Sequence, residues 1–131
     1  MIGTFLSWLL LLMALLSAAP ALAAESAYET AAAAARARYT ETASKCRRLR
    51  QEERSSCIRV AKAGAYAALN TTYSDAMNAA NSAYARTSVR CKSMPGTERR
   101  RCLRAARNER DMALGKAEEI RSAPLAMGPI R

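Results

Sequence analysis

The sequence contains a tandem repeat of 45 residues, in which tyrosines and cysteines recur at matching positions. Within each copy, successive members of the pattern are separated by 11, 7 and 11 residues. A fixed period of this length indicates that one supersecondary unit is used more than once. We therefore expect two copies of the same local structure. The members are Tyr28, Tyr39, Cys46 and Cys57 in the first copy and Tyr73, Tyr84, Cys91 and Cys102 in the second.

The segment between Ala24 and Arg121 favours helix almost throughout. Alanine, arginine, glutamate, methionine and leucine dominate it, and these residue types are good helix formers. Strand patterns are almost absent. At about 3.6 residues per turn, Tyr28, Tyr39 and Cys46 fall on one narrow stripe of a helix. The sequence therefore predicts an all-α fold in which the tyrosine stripe packs in the core.

A similar stripe follows the last cysteine. It contains Ala106 and Ala113 at helical spacing, and we expect both to face the neighbouring helix. Glu109 falls on the same stripe, and a buried carboxylate needs a hydrogen-bond partner. We expect the Tyr84 hydroxyl to be that partner.

Helix-breaking residues lie between the cysteines of the second copy. Segment 93–98 contains Pro95 and Gly96 and predicts a turn that ends in a helix N-cap. The equivalent segment 49–54 has no such residue, and a turn there is inferred from the repeat alone. Each copy is thus predicted to be an αα-hairpin whose cysteines flank the turn.

The four cysteines allow three disulfide connectivities. Pairing Cys46 with Cys57 and Cys91 with Cys102 is the one that respects the repeat and closes each hairpin locally. Zinc is the alternative, but ten residues between partners do not match the short spacing of zinc sites. We expect two structural disulfides and no metal.

Two arrangements of the hairpins are open. Residues 57–91 can form one helix about 50 Å long, so that the hairpins share a long central helix and their tips lie at opposite ends. Alternatively, residues 70–72 break this helix and the hairpins fold together as a four-helix bundle. The absence of glycine and proline there slightly favours the long helix. The expected repeats are 24–69 and 70–121, followed by a flexible tail, 122–131.

The beginning of the chain has the features of a secretory signal peptide. Phe5–Leu16 is almost wholly apolar and is followed by Pro20 and by the small residues before Ala24. We expect residues 1–23 to be removed by cleavage after Ala23. An uncleaved membrane anchor is the alternative, because no Lys or Arg precedes the apolar segment. Export together with four cysteines predicts an oxidising compartment, and we expect the periplasm.

Basic residues are concentrated at the two predicted tips. The formal net charge is +10, and segments 45–62 and 86–110 contain seven and nine Lys or Arg, against two Glu in each. Such clusters often form only a solvated helix face. Arginine is also suited to binding phosphate or carboxylate through two hydrogen bonds. The candidate anion-binding residues are Arg47, Arg48, Arg50, Arg99, Arg100, Arg101 and Arg104.

The composition argues against catalysis. The chain has no histidine, no glycine-rich phosphate loop, and no serine or cysteine with a plausible general base beside it. We therefore expect no enzyme activity, no catalytic residue, no cofactor and no small-molecule substrate. The leading interpretation is a periplasmic protein whose basic tips bind an anionic envelope component, a membrane surface included, or an acidic protein. Nucleic acid ranks third, because no Trp or Phe remains after cleavage to stack on bases.

Two alternative functions remain. One is a periplasmic stress chaperone similar to the small, basic, all-helical cradle proteins that shield unfolded chains, although their L-T-x-x-Q motif is absent here. The other is a structural spacer of the cell envelope.

The cysteine pattern resembles that of a known group of proteins. Cys46, Leu49, Cys57, Ile58 and Ala61 are similar to the C-x10-C core of small exported proteobacterial helical proteins with one or two Tyr/Ala/Lys-rich repeats. Those proteins usually have an acidic residue after the first cysteine, where this chain is basic. The resemblance implies export and a helical shape, and it implies no activity. The second copy fits through Cys91, Met94, Gly96, Glu98, Arg99, Cys102, Leu103 and Ala106.

Overall fold

The computed structural model describes residues 19–126 of the chain, with side chains from Ala27 onward. Three helices account for nearly all of this part: α1 (Ala19–Cys46), α2 (Gln51–Lys92) and α3 (Gly96–Ser122). The described residues contain no strand, so the predicted all-α fold is confirmed. No helix among them is long and apolar enough to cross a membrane.

The predicted signal peptide, residues 1–23, lies largely outside the described residues. Its last five residues belong to α1, which continues through the expected cleavage point after Ala23. Pro20 falls in the first turn of α1, where a missing backbone N–H leaves no helical hydrogen bond unmade.

Helix α2 is continuous over 42 residues, which corresponds to about 63 Å. The residues that could have broken it are accommodated inside it. The hydroxyls of Thr71 and Thr72 donate hydrogen bonds to the carbonyl oxygens of Ala67 and Ala68, each at 3.1 Å. They bond back to the preceding turn instead of capping a new helix. The shared central helix is therefore confirmed, and the alternative of a four-helix bundle is wrong.

Helices α1 and α3 pack along different parts of α2. Each forms a hairpin with α2 through a short turn, residues 47–50 and 93–95. Both predicted disulfides are present, Cys46–Cys57 and Cys91–Cys102, with a Cα–Cα distance of 5.6 Å in each. Near the middle of α2 the start of α1 also meets the end of α3, where the Tyr28 hydroxyl donates a 2.7 Å hydrogen bond to the carbonyl oxygen of Ala117.

The core of the first hairpin follows the tyrosine stripe, as predicted. Alanines and Gly64 on α2 leave room for the ring of Tyr39, which contacts Ala65. Because most facing side chains are this small, the two helix backbones can approach closely. From Ala27 onward, the buried residues of α1 are Tyr28, Ala32, Ala35, Tyr39, Ala43 and Cys46.

The predicted stripe on α3 is wrong at two positions. Ala106 and Ala117 are buried, but Ala113 and Glu109 are exposed, and Leu114 is partly buried between them. The buried alanines are 11 residues apart, a spacing of about 3.67 residues per turn, which moves the contact line from Ala113 to Leu114.

The ring of Tyr84 also has a different partner from the expected one. The guanidinium of Arg110 stacks over it, 4.8 Å from the ring centroid, in a cation–π contact. Exposed Glu109 has no need of a buried partner.

Both hairpins contribute to one buried junction. Leu69 of α2 is fully buried there, between Ala32 and Ala35 of α1. Ile120 of α3 and Leu125 of the following segment pack against the same group. Leu69 therefore lies where all three helices contribute to one core.

The start of the predicted flexible tail is held against α1. Leu125 contacts the buried residues around Leu69 and also those around Tyr39. The segment after α3 is therefore in contact with α1 up to Leu125, residues 127–131 lie outside the described part, and the flexibility of the tail stays a prediction. The Arg36 guanidinium donates hydrogen bonds to the carbonyl oxygens of Ile120, of Ala123 at 3.0 Å and of Pro124 at 3.3 Å.

Candidate functional site

The two basic segments lie at opposite ends of the molecule. We call residues 45–62 tip 1 and residues 86–110 tip 2. Between Cys57 and Cys91, α2 runs without interruption for about 51 Å. Charges in salt at physiological ionic strength are screened over about 8 Å, so the tips act as two independent positive fields.

The backbone turns at the two tips are equivalent. The amide of Leu49 donates to the carbonyl oxygen of Cys46, and that of Met94 to Cys91, both at 3.1 Å. The residue before the next helix is extended in each case, with φ −61° and ψ 157° at Arg50 and φ −73° and ψ 148° at Pro95. The sequence repeat therefore extends to the local structure of the turns.

Two details of the predicted turns are wrong. Residues 51–54 belong to α2, so the first turn lies earlier than expected, at 47–50. The N-cap of α3 is Pro95, and the side chains of Pro95 and Arg50 form no capping hydrogen bond. Both cysteine pairs thus close turns of only three or four residues.

One arginine at each tip braces the turn. Arg54 donates from Nη2 to the carbonyl oxygen of Leu49 at 3.1 Å, and Arg99 donates from Nε to that of Met94 at 3.1 Å. Arg54 and Arg99 both stand eight positions after the first cysteine of their copy. Arg99 was predicted only as an anion-binding residue and Arg54 was not predicted at all, although their equivalent positions in the repeat are visible in the sequence.

The other candidate arginines are mostly exposed. Arg47 is partly buried, whereas the remaining ones face solvent. Arg50 is 4.0 Å from Glu53, but both side chains are too exposed for this ion pair to matter much. Arg100 reaches the Thr97 hydroxyl at 3.5 Å. In the part of the chain that the structure describes, no carboxylate forms an ion pair with Arg48, Arg100, Arg101 or Arg104.

The structure therefore groups the seven candidates into two separate sets. Each set lies beside a disulfide-closed turn, and the two sets do not come together. The sets are Arg47, Arg48 and Arg50 at tip 1, and Arg99, Arg100, Arg101 and Arg104 at tip 2.

Several charged groups between the tips form structural contacts. Lys116 binds Glu29 across the helices at 2.6 Å, and Arg121 binds Glu118 at 2.6 Å. The hydrogen bond from Arg121 lowers the pKa of Glu118 below its ordinary value. Burial raises the pKa of the Tyr28 hydroxyl. These shifts have structural causes and mark no reactive group.

The described residues form open grooves along the first hairpin, one of them about 490 Å³ in volume beside Cys57 and Val60. A groove of about 240 Å³ beside Tyr39 and Gly64 is lined mainly by alanines. The four cysteines are all consumed in disulfides. From residue 27 to residue 126 the structure brings together no group of three or more His, Cys, Asp or Glu that could hold a metal. The arginine-rich tips are thus the surfaces with the clearest chemical character.

No family model matches this chain. Comparisons with curated proteins and with solved structures likewise find no match. The interpretation of the tips therefore depends on their own chemistry.

Proposed function

We propose that the protein is a non-enzymatic periplasmic protein that binds an anionic envelope component or an acidic protein through its two basic tips. The single observation that carries this proposal is that exposed arginines cluster at both of two equivalent, disulfide-closed turns, within the turn at tip 1 and at the start of α3 at tip 2. Arginines that only keep a helix face soluble do not need a turn closed by a disulfide, and here such a turn is present at both ends of the molecule. A rigid turn lowers the entropy lost when arginines order on a ligand, which favours binding.

Periplasmic location is supported by the two disulfides, because such bonds persist in oxidising compartments. The apolar start of the chain agrees with export. An envelope protein meets phosphate and carboxylate groups on lipids, polymers and proteins, and each of these is attracted by a positive field.

The proposal is tested by binding of the oxidised chain, residues 24–131, to immobilised inorganic polyphosphate at low and high ionic strength. The variant R100S/R101S removes two exposed arginines of tip 2 but keeps Arg99, which braces the turn. Exposed ion pairs contribute up to about 1 kcal/mol each, so affinity at that tip should fall by up to about thirtyfold. Binding should also weaken strongly with salt.

A matched control separates the tip from the net charge. The variant R38S/K116S removes the same formal charge from the middle of the molecule, and it should bind as the unmodified protein does. Undiminished affinity at high ionic strength, or equal losses in both variants, would show that the tips are not the contact. Retention of envelope proteins or lipids from an extract, followed by salt elution, would then identify the ligand.

The chaperone alternative is less well supported by the surface. A protein that shields unfolded chains needs contiguous exposed apolar area. The most exposed large apolar residues, Val60, Val89 and Met112, lie on separate parts of the helices. Light scattering from an aggregating client protein discriminates the two functions, because an anion-binding protein should leave the aggregation unchanged.

A further inference from the structure

We propose that each tip anchors the protein to an anionic lipid surface, and that one molecule bridges two such surfaces. This inference rests on the proposed function, and it adds the chemistry of the ligand and the number of surfaces bound. It describes how the protein would act as a structural spacer of the cell envelope, which is one of the alternative functions given above.

The first observation concerns an apolar residue at the apex of each tip. Leu49 and Met94 occupy the same position of the repeat, and 39% and 37% of their surface is exposed. Their carbonyl oxygens are the ones held by Arg54 and Arg99, so both apolar residues are fixed in the same way.

An exposed apolar side chain at a turn that also carries arginines fits a bilayer surface. Arginines bind lipid phosphates, while the apolar residue enters the boundary between headgroups and acyl chains. A soluble polyanion offers no apolar layer, so it would leave Leu49 and Met94 in water. The presence of both arginines and an exposed apolar residue at each tip therefore favours a lipid surface over a soluble polyanion.

The second observation is the charge between the tips. The described side chains outside tips 1 and 2 include six acidic and four basic residues. Ion pairs engage four of the acidic residues, and Arg36 and Arg121 bind groups of the protein itself, so the middle part keeps a formal excess of two negative charges. A molecule lying flat would press this acidic middle part against an anionic bilayer. End-on binding keeps it away from the surface.

End-on binding leaves the opposite tip free to bind another surface. Helix α2 is continuous, so the turns at its two ends are held about 60 Å apart. The two tips therefore cannot fold toward one another. Both segments carry a large excess of basic residues. Two surfaces bound at the two ends would therefore be separated by about 60 Å.

The test uses vesicles of phosphatidylcholine mixed equally with phosphatidylglycerol, and the oxidised chain 24–131. Cosedimentation measures binding, and dynamic light scattering measures vesicle clustering. The unmodified protein should bind and cluster these vesicles, and electron cryomicroscopy should show gaps of about 60 Å between bilayers. Vesicles of phosphatidylcholine alone should show neither effect.

Variants at one tip separate binding from bridging. Both R48S/R50S at tip 1 and R100S/R101S at tip 2 should remain bound through the other tip, with clustering reduced about tenfold. The control R38S/K116S should cluster vesicles as the unmodified protein does. Clustering that survives both tip variants would overturn the proposal.

The apex residue is tested by M94S, with M112S as its matched control. Met112 is 68% exposed but lies outside tip 2. M94S should weaken vesicle binding about fivefold and leave polyphosphate binding unchanged, because only the bilayer offers an apolar layer. M112S should change neither. Equal vesicle binding by M94S and the unmodified protein would overturn the lipid assignment.

The remaining outcomes distinguish this inference from the proposed function. Vesicle binding without clustering would refute bridging and leave the proposed function standing. Binding to polyphosphate but not to vesicles would make the ligand a soluble polyanion and refute the lipid anchor. Failure to bind either probe would refute the proposed function itself.

Discussion

Replacement of Leu69 by alanine tests whether the two hairpins share one core. Leu69 is fully buried on α2, where it contacts Ala32 and Ala35 of α1. Ile120 and Leu125 contact the same group from α3 and the segment after it. The substitution removes apolar contacts at a place where all of these elements meet.

The size of the effect follows from burial and from the neighbours. Truncation of a buried leucine to alanine costs about 2–5 kcal/mol, because the transfer energy of the lost groups and the energy of the cavity add. The neighbours Ala32 and Ala35 have short side chains on a helix and cannot fill the space. We therefore expect about 3–4 kcal/mol, and a Tm lowered by about 4–8 °C for each kcal/mol.

The measurement is urea and thermal unfolding of the oxidised chain 24–131, followed by the helical circular dichroism signal. Val60→Ala is the control, because Val60 lies on the same helix but is 67% exposed. Its free energy of unfolding should change by less than about 0.5 kcal/mol. If L69A lost no more stability than V60A, the junction around Leu69 would not be what joins the hairpins.

Two further predictions concern stability. Replacement of both cysteines at one tip by serine should lower the free energy of unfolding by about 3 kcal/mol, which is the stabilisation expected of a disulfide that closes a short loop. The cysteines are 11 residues apart at both tips, so the two losses should be equal. Unfolding in urea should give equal losses for the two tips, and unequal losses would contradict their equivalence. Tyr28→Phe removes the hydrogen bond to Ala117 and should cost about 1 kcal/mol at neutral pH. Burial raises the pKa of Tyr28 above 10.0, so the stability that its neutral hydroxyl contributes is present below that pH and is lost as pH rises through the folded-state pKa. The unmodified protein should therefore lose more stability than Y28F above pH 10, and identical alkaline profiles would exclude this cause.

The local features of the fold could be predicted because they depend on short-range geometry. The spacing of Tyr28, Tyr39 and Cys46 matches 3.6 residues per turn, and these residues do form the buried stripe of α1. The repeat likewise predicted both disulfides, since each joins cysteines only 11 residues apart.

Other features depend on tertiary packing and could not be predicted. The contact line on α3 passes Leu114 instead of Ala113, and over one short helix the sequence cannot distinguish 3.6 from about 3.67 residues per turn. The contacts of Leu125 are with residues of α1 and α2, which are distant from it in the sequence. Neither effect leaves a local pattern in the sequence.

The candidate site was predictable in composition but not in arrangement. Clusters of arginine were visible in the sequence, whereas their separation depended on whether residues 70–72 break the central helix. The bracing roles of Arg54 and Arg99 required the path of the turn, because each binds a carbonyl oxygen five residues earlier.

The unbroken α2 also fixes the rotational angle between the two ends of the molecule. In an α-helix each added residue advances the chain by about 1.5 Å and turns it by about 100°. Insertion of one residue between Cys57 and Cys91 would hardly change the distance between the ends, but it would turn one end by more than a quarter of a revolution. Two variants whose insertions have the same charge but different lengths would therefore present the same groups at their ends in different directions.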